Sequence, residues 1–174
     1  MTKTKSLAFS AIFISIALIL SFIKIGLPYG GSVTLCSMLF ISLIGYYTGA
    51  FWGIMAAIAY GILQFICEPL FLNPIQFLLD YLLGFGVLGV SGFFSNKAKG
   101  LVAGFTLGAF LRFICSAISG YVFYGSYAPE NMNVIIYTIL YNLSYIFPEV
   151  IITYIFINLK PFKKLLEEIE ARLI

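Results

Sequence analysis

A chain of 174 residues that is 61% hydrophobic, 18% aromatic and only 10% charged carries more apolar surface than a soluble domain of this size can bury. This composition indicates an integral membrane protein. A formal net charge of +3, without a basic patch, argues against nucleic acid as a partner.

Six apolar segments follow one another along the chain, and each is interpreted as a membrane helix. Segments of this length without period-two alternation favour helices over strands. The prediction is an all-α membrane protein, a six-transmembrane-helix bundle in which residues 1–174 form one domain. The segments are Leu7–Ile23, Val33–Tyr47, Phe51–Cys67, Ile75–Phe94, Leu101–Gly120 and Val134–Leu159.

The basic residues predict the orientation of this bundle. Eight of the ten Lys and Arg residues share one side if both termini are cytoplasmic. Cytoplasmic loops of membrane proteins carry an excess of Lys and Arg, so we expect both termini to be cytoplasmic. The eight residues are Lys3, Lys5, Lys97, Lys99, Lys160, Lys163, Lys164 and Arg172.

Small residues mark one face of the first segment. Ala8, Ala11 and Ser15 are spaced at i, i+3 and i+7, which lets another helix approach closely. That helix could belong to this chain or to a second subunit. In contrast, the tail 160–174 is charged and has a helical pattern, with Lys and Glu spaced for i,i+4 pairs. It is interpreted as a solvated cytoplasmic helix end without chemistry.

Asp80 is a carboxylate within the apolar segment Ile75–Phe94. A lone acid in a membrane helix is costly, so it is expected to meet a partner in the protein or a ligand. At the helical rise per residue, Asp80 lies about 8 Å below the outer end of its helix. Arg112 and Asn142 lie about 12 Å below the outer ends of theirs. Three helices are therefore expected to place an acid, a base and an amide in the outer half of the bundle.

Aromatic and small side chains accompany these three polar residues. Tyrosines repeat every four residues in the sixth segment. A further tyrosine follows Asp80 directly, a serine lies in the fifth segment, and another tyrosine follows that segment. Aromatic rings around one carboxylate suit a flat, cationic or amine-bearing ligand. The predicted ligand-binding residues are Asp80, Tyr81, Arg112, Ser116, Tyr124, Tyr137, Tyr141, Asn142 and Tyr145.

Structural alternatives for this group remain open. Asp80 and Arg112 could neutralise each other as an ion pair. The tyrosines could form an interfacial belt, and Asn142 could make only an interhelical hydrogen bond. Glu149 is expected to lie deeper toward the cytoplasm, outside the group, in a structural role.

No enzymatic site, metal or cofactor is predicted. The chain contains no histidine, which is the commonest general base and metal ligand, and no phosphate-binding GxxxxGK[ST] motif. The glycine-rich stretch 84–89 lies inside an apolar segment, where small residues favour close helix packing. Cys36, Cys67 and Cys115 are predicted to be free thiols.

Four sequence blocks point to one family: Gly30–Val33, Asn73–Tyr81, Ile118–Pro129 and Ile136–Tyr145. Together they resemble the thiamine-specific substrate-binding subunits (S-components of the ThiT or YuaJ type) of energy-coupling factor (ECF) vitamin transporters. The resemblance covers nearly the whole chain. It implies a high-affinity thiamine-binding subunit of an importer in a prokaryotic cell membrane. The implied partners are thiamine, membrane lipid, an ECF transmembrane coupling subunit and two ATPase subunits that hydrolyse ATP.

The resemblance also implies roles for particular residues. By position, Asp80 resembles the family's acidic ligand residue, and Tyr81 its aromatic neighbour. Tyr124 resembles the aromatic residue that stacks on the ligand, while Tyr137 and Asn142 resemble the tyrosine and asparagine of the sixth helix. The small residues of the first helix resemble the surface that meets the coupling subunit.

The chain departs from the family pattern at three places. Ser116 stands where the family commonly has histidine, Asp80 replaces Glu, and residues 29–31 lack a tryptophan that some members carry. Alternatives are therefore a thiamine precursor or another vitamin as ligand. A stand-alone secondary carrier with Asp80 and Arg112 as a relay, and a structural membrane scaffold, are further alternatives. The internal two-fold repeat that would favour a carrier is not seen.

Overall fold

The computed structural model describes residues 2–27, 31–95 and 99–173. Tyr29, Gly30 and Lys97, which entered the predictions above, lie outside these ranges. The described residues form helices joined by short connections, together with one two-stranded hairpin. The elements are α1 (Lys3–Phe22), β1 (Lys24–Gly26), β2 (Ser32–Thr34), α2 (Ser37–Thr48), α3 (Ala50–Cys67), α4 (Pro74–Phe94), α5 (Gly100–Phe123), a 3-10 turn (Gly125–Tyr127), α6 (Val134–Asn158) and α7 (Lys160–Leu173).

In the described part of the chain, five helices are long and apolar enough to cross a membrane, namely α1, α3, α4, α5 and α6. The second predicted segment gives a shorter helix, because α2 has 12 residues and a perpendicular span needs about 20. Five of the six predicted membrane helices are therefore long enough to cross a membrane, and α2 is shorter.

The helical chain is interrupted by a short hairpin between α1 and α2, which the sequence did not predict. β1 pairs with β2 in antiparallel register, so that Ile25 lies opposite Val33. Val33 had been placed in the second helix. After β2, Cys36 adopts a left-handed backbone conformation with a φ angle of 59°, and this turn directs the chain into α2.

The helix that carries Asp80 is not a regular α-helix. Within α4, residues Leu78–Leu83 form a π-helical segment and Val87–Phe94 a 3-10 helix. Short π-helical segments are rare and frequently occur at functional sites. Gly61 of α3 packs directly on this segment, since a Cβ at Gly61 would overlap the Tyr81 carbonyl oxygen.

The glycine-rich part of α4 packs tightly against its neighbours, as its sequence predicted. A Cβ added at Gly89 would overlap the backbone of Gly53 in α3, and one added at Gly53 would overlap Gly45 in α2. Three helices therefore meet backbone to backbone, an arrangement that only small residues permit.

The tail predicted as a helix end forms the C-terminal helix α7, whose Lys, Glu and Arg side chains are exposed while its apolar face packs on the bundle. Phe162 is 6% exposed, and its ring centroid lies 4.6 Å from that of Phe156. The Tyr47 hydroxyl donates to the Leu166 carbonyl at 3.2 Å. Among the described residues, none of the i,i+4 ion pairs suggested by the tail's spacing is formed. The apolar face of this helix, rather than its charges, decides its position.

Candidate functional site

A cavity of about 690 Å³ lies among α1 to α6. It is lined at one end by the hairpin, by the loop between α3 and α4, and by the turn after α5; this is called the hairpin end. Its volume is typical of small-molecule sites. All nine side chains selected from the sequence line it, namely Asp80, Tyr81, Arg112, Ser116, Tyr124, Tyr137, Tyr141, Asn142 and Tyr145.

Asp80 is half-buried in the π-helical segment of α4. Its Oδ2 atom accepts a hydrogen bond from Gln76 Nε2 at 2.7 Å. Asp80 and Arg112 form no ion pair, so the alternative of a structural pair between them is wrong. The carboxylate is thus held by a neutral amide and keeps its charge available to the cavity.

Arg112 packs against an aromatic ring instead. Its guanidinium carbon lies 3.7 Å from the centroid of the Phe85 ring, a cation–π contact. Its Nη1 atom is buried and has no hydrogen-bond partner among the described residues. A buried donor of this kind is costly unless it meets an acceptor, and the cavity is where an acceptor can enter.

Asn142 is 2% exposed, and its amide makes three hydrogen bonds. Nδ2 donates to the Thr138 carbonyl at 2.9 Å and to the Ser116 carbonyl at 3.4 Å. Oδ1 accepts from the Tyr145 hydroxyl at 2.5 Å. The bond to Ser116 joins α6 to α5, so the interhelical hydrogen bond considered from the sequence is present. Asn142 also sets the position of Tyr145 at the cavity wall.

The tyrosines form a continuous aromatic wall. The ring centroids of Tyr137 and Tyr141 are 6.0 Å apart, and those of Tyr141 and Tyr145 are 5.8 Å apart. Tyr124 faces the same cavity from the turn after α5, and its hydroxyl has no partner in the described part of the chain. Burial raises the pKa of the Tyr124 phenol, so this hydroxyl remains a neutral donor.

Tyr81 uses its hydroxyl to hold the loop between α3 and α4. The hydroxyl donates to the Glu68 carbonyl at 3.0 Å and accepts from the Leu70 amide at 3.2 Å. Its ring lies edge-on to Phe65, with centroids 5.2 Å apart. Tyr81 therefore links the π-helical segment that carries Asp80 to the hairpin end of the cavity.

The expectation that Glu149 lies outside the polar group is wrong, because Glu149 lines the cavity. Its Oε1 accepts from Thr34 Oγ1 at 2.8 Å, from Ser37 Oγ at 3.3 Å and from the Met38 amide at 3.3 Å. Counting along α6 alone did not show that residues of β2 and α2 reach this carboxylate. The hairpin and the first turn of α2 descend to meet it, and sequence spacing contains no sign of that.

An ion pair at the hairpin end was not found from the sequence. Lys24 of β1 pairs with Glu68 at the end of α3, and both side chains line the cavity. Their positions at segment ends were visible in the sequence, but their pairing was not. Isolated polar residues of α1, β2, α2 and α3 were missed for the same reason. They are Ser21, Thr34, Ser37, Tyr60 and Gln64.

The small-residue face of α1 lies apart from the cavity. Ala8, Ala11 and Ser15 are exposed, and the Ser15 hydroxyl donates to the Ala11 carbonyl at 2.9 Å. These residues therefore offer a flat surface outside the bundle. Within the described ranges, no three Cys, Asp or Glu side chains lie close enough together to hold a metal ion.

Known proteins are similar to this chain in sequence and in fold. The solved structure of ThiT from Listeria monocytogenes superposes with a TM-score of 0.72 at 24% identity, covering 91% of this chain and 96% of that chain. This likeness shows the same fold.

Sequence comparison extends the relationship. Thiamine transporter ThiT of Bacillus subtilis (strain 168) is 35% identical over 159 residues, which cover 82% of each protein. Thiamine transporter ThiT of Lacticaseibacillus paracasei is 33% identical over 109 residues, covering 55% of this chain and 52% of its relative. The profile of the family described as thiamine transporter protein (Thia_YuaJ) matches residues 7–167. With its apolar helices, the chain is a multi-pass membrane protein and belongs to the thiamine transporter (Thia_YuaJ) family.

Proposed function

We propose that this chain is the thiamine-binding S-component of an ECF-type importer. The observation that carries the proposal is the cavity of about 690 Å³ in which Asp80, which forms no ion pair with any described residue, faces a wall of tyrosines. Thiamine combines a flat aminopyrimidine with a cationic thiazolium ring. A carboxylate surrounded by aromatic rings suits both parts, by hydrogen bonding, stacking and cation–π attraction.

Each lining residue is assigned a role toward thiamine according to whether its polar atoms already have hydrogen-bond partners in the protein. Asp80 would accept from the exocyclic amine, while Tyr124, Tyr137 and Tyr141 would stack on the rings. The unpartnered donors at Arg112 Nη1 and Tyr124 Oη would meet acceptor atoms of the ligand. Asn142, whose amide is already engaged, would act by holding Tyr145.

The orientation and partners belong to the same proposal. With both termini cytoplasmic, as the basic residues favour, the hairpin end of the cavity faces the outside and receives the vitamin there. The exposed face of Ala8, Ala11 and Ser15 would meet the transmembrane coupling subunit. Energy would come from two ATPase subunits bound to that subunit.

Calorimetric or tyrosine-fluorescence titration of the purified protein with thiamine, riboflavin and biotin tests the proposal. Saturable binding of thiamine at micromolar concentration or below is expected, with no saturable response to the other two. Absence of saturable thiamine binding would overturn it. Thiamine uptake into vesicles that contain this chain alone, without ATPases, would instead support the carrier alternative.

A further inference from the structure

Gln76 is a buried amide that contacts the carboxylate of the candidate site. It is 0% exposed and lies four residues before Asp80, in the first α-helical turn of α4. Its Nε2 donates to Asp80 Oδ2 at 2.7 Å, and its Oε1 accepts from the Leu72 amide at 3.2 Å. One side chain thus joins the site's carboxylate to the loop between α3 and α4.

We propose that Gln76 is a positioning and specificity-determining residue for ligand recognition by Asp80. This inference rests on the function proposed above. An ionised carboxylate can accept about four hydrogen bonds, and Gln76 supplies one donor while leaving other lone pairs to the ligand. A donor to a charged oxygen is among the stronger hydrogen bonds. It therefore fixes the direction in which the Asp80 carboxylate faces the cavity.

A fixed carboxylate selects among ligands by hydrogen-bond polarity. It accepts from an amine but repels the lone pairs of a carbonyl oxygen at the same place. Sites built to bond a polar group reject analogues that leave buried groups unpaired. A carboxylate that can rotate loses part of this discrimination. Gln76 therefore contributes to the preference for a 4-aminopyrimidine over its 4-oxo analogue, without touching the ligand.

A neutral amide is suited to this role where a cation is not. A Lys or Arg at this position would neutralise Asp80 and compete with a cationic ligand. Arg112, which lines the same cavity, is engaged with the Phe85 ring and not with Asp80. Gln76 orients the carboxylate and leaves its charge for the ligand.

The test compares Gln76→Met with the wild-type protein. Methionine has a similar shape and no amide, so packing is retained while both hydrogen bonds are lost. We expect thiamine affinity to fall about tenfold, and the affinity ratio of thiamine to its 4-oxo analogue to fall as well. A matched control is Thr153→Val, which replaces a buried polar side chain outside the cavity and should alter neither value.

A second comparison, in the Asp80→Asn variant, tests whether Gln76 acts by positioning the Asp80 carboxylate or by supporting the loop between α3 and α4. There, Gln76→Met should change thiamine affinity by less than about threefold, because the charge that Gln76 orients is gone. An equal loss in both backgrounds would show that Gln76 acts through the loop, and would overturn the proposal. If Gln76→Met does not fold, Gln76→Asn is the second variant. Its amide is too short to reach Asp80, and the same losses are expected.

The two proposals fail in different ways. If the wild-type protein binds thiamine and Gln76→Met binds it with unchanged affinity and unchanged selectivity, the role of Gln76 is refuted while the proposed function stands. If the folded wild-type protein binds no thiamine, both are refuted.

Discussion

The Lys24 ammonium group pairs with the Glu68 carboxylate, and this contact joins β1 to the end of α3 at the hairpin end of the cavity. Lys24 and Glu68 are separated by two helices in sequence. The relative exposures of the two side chains are 34% and 52%, so solvent and salt screen the pair. Its contribution to the stability of the fold is therefore small, and its effect is expected on closure of the cavity.

The charge reversal Glu68→Lys should speed thiamine dissociation about two- to fivefold at low salt, because it replaces attraction at the hairpin end by repulsion. The double variant Lys24→Glu with Glu68→Lys should restore the wild-type rate. Stopped-flow fluorescence measures both. Equal dissociation rates for the single and double variants would contradict a role for the pair, and the difference should shrink at high salt.

Asp80→Asn should weaken thiamine binding by about 10- to 100-fold, since a hydrogen bond to a charged group is replaced by one to a neutral amide. Asp80→Glu keeps the charge and should retain most of the affinity. Calorimetry measures the change, and size-exclusion chromatography with circular dichroism checks folding. Unchanged affinity in Asp80→Asn would show that this carboxylate does not bind the ligand.

Gly61→Ala should lower the Tm of the ligand-free protein by about 3–10 °C, the effect of overpacking a tight contact. The added methyl group would overlap the Tyr81 carbonyl oxygen next to Asp80. Gly26→Ala is the matched control, because nothing lies within 4 Å of a Cβ there. A thermal shift assay in detergent compares the two, and equal Tm values would mean that α3 can move away from α4.

Ala11→Trp should abolish co-purification with the ECF coupling subunit and leave thiamine affinity unchanged, because a large ring blocks close helix approach at a face remote from the cavity. Ile155→Trp, on an exposed position of α6, is the control and should still co-purify. Retention of the complex by Ala11→Trp would place the docking surface elsewhere.

The polar and aromatic residues that α4, α5 and α6 bring to the middle of the cavity were predictable from the sequence. A carboxylate, a guanidinium and an amide inside apolar segments are conspicuous, because polar groups are expensive in a membrane and must face protein or ligand. The repeat of tyrosines every four residues placed them on one helix face. These are local properties, and the structure brings Asp80, Arg112 and Asn142 to one cavity.

The partners of those residues were not predictable. Depth counted along α6 put Glu149 outside the group, because the count assumed that neighbouring segments start at one level, whereas the hairpin and α2 descend toward it. The close contact between Gly61 of α3 and the π-helical segment around Asp80 likewise joins residues far apart in the sequence.

The sequence by itself determined the membrane class, the family and nine of the side chains that line the cavity, because hydropathy and isolated polar groups are read along one chain segment at a time. The tertiary structure alone decided that Glu149 accepts from Thr34, and that Lys24 meets Glu68. Hydrogen-bond and ion-pair partners depend on how helices and loops approach in three dimensions, to within a fraction of an ångström, and spacing along the chain does not specify that.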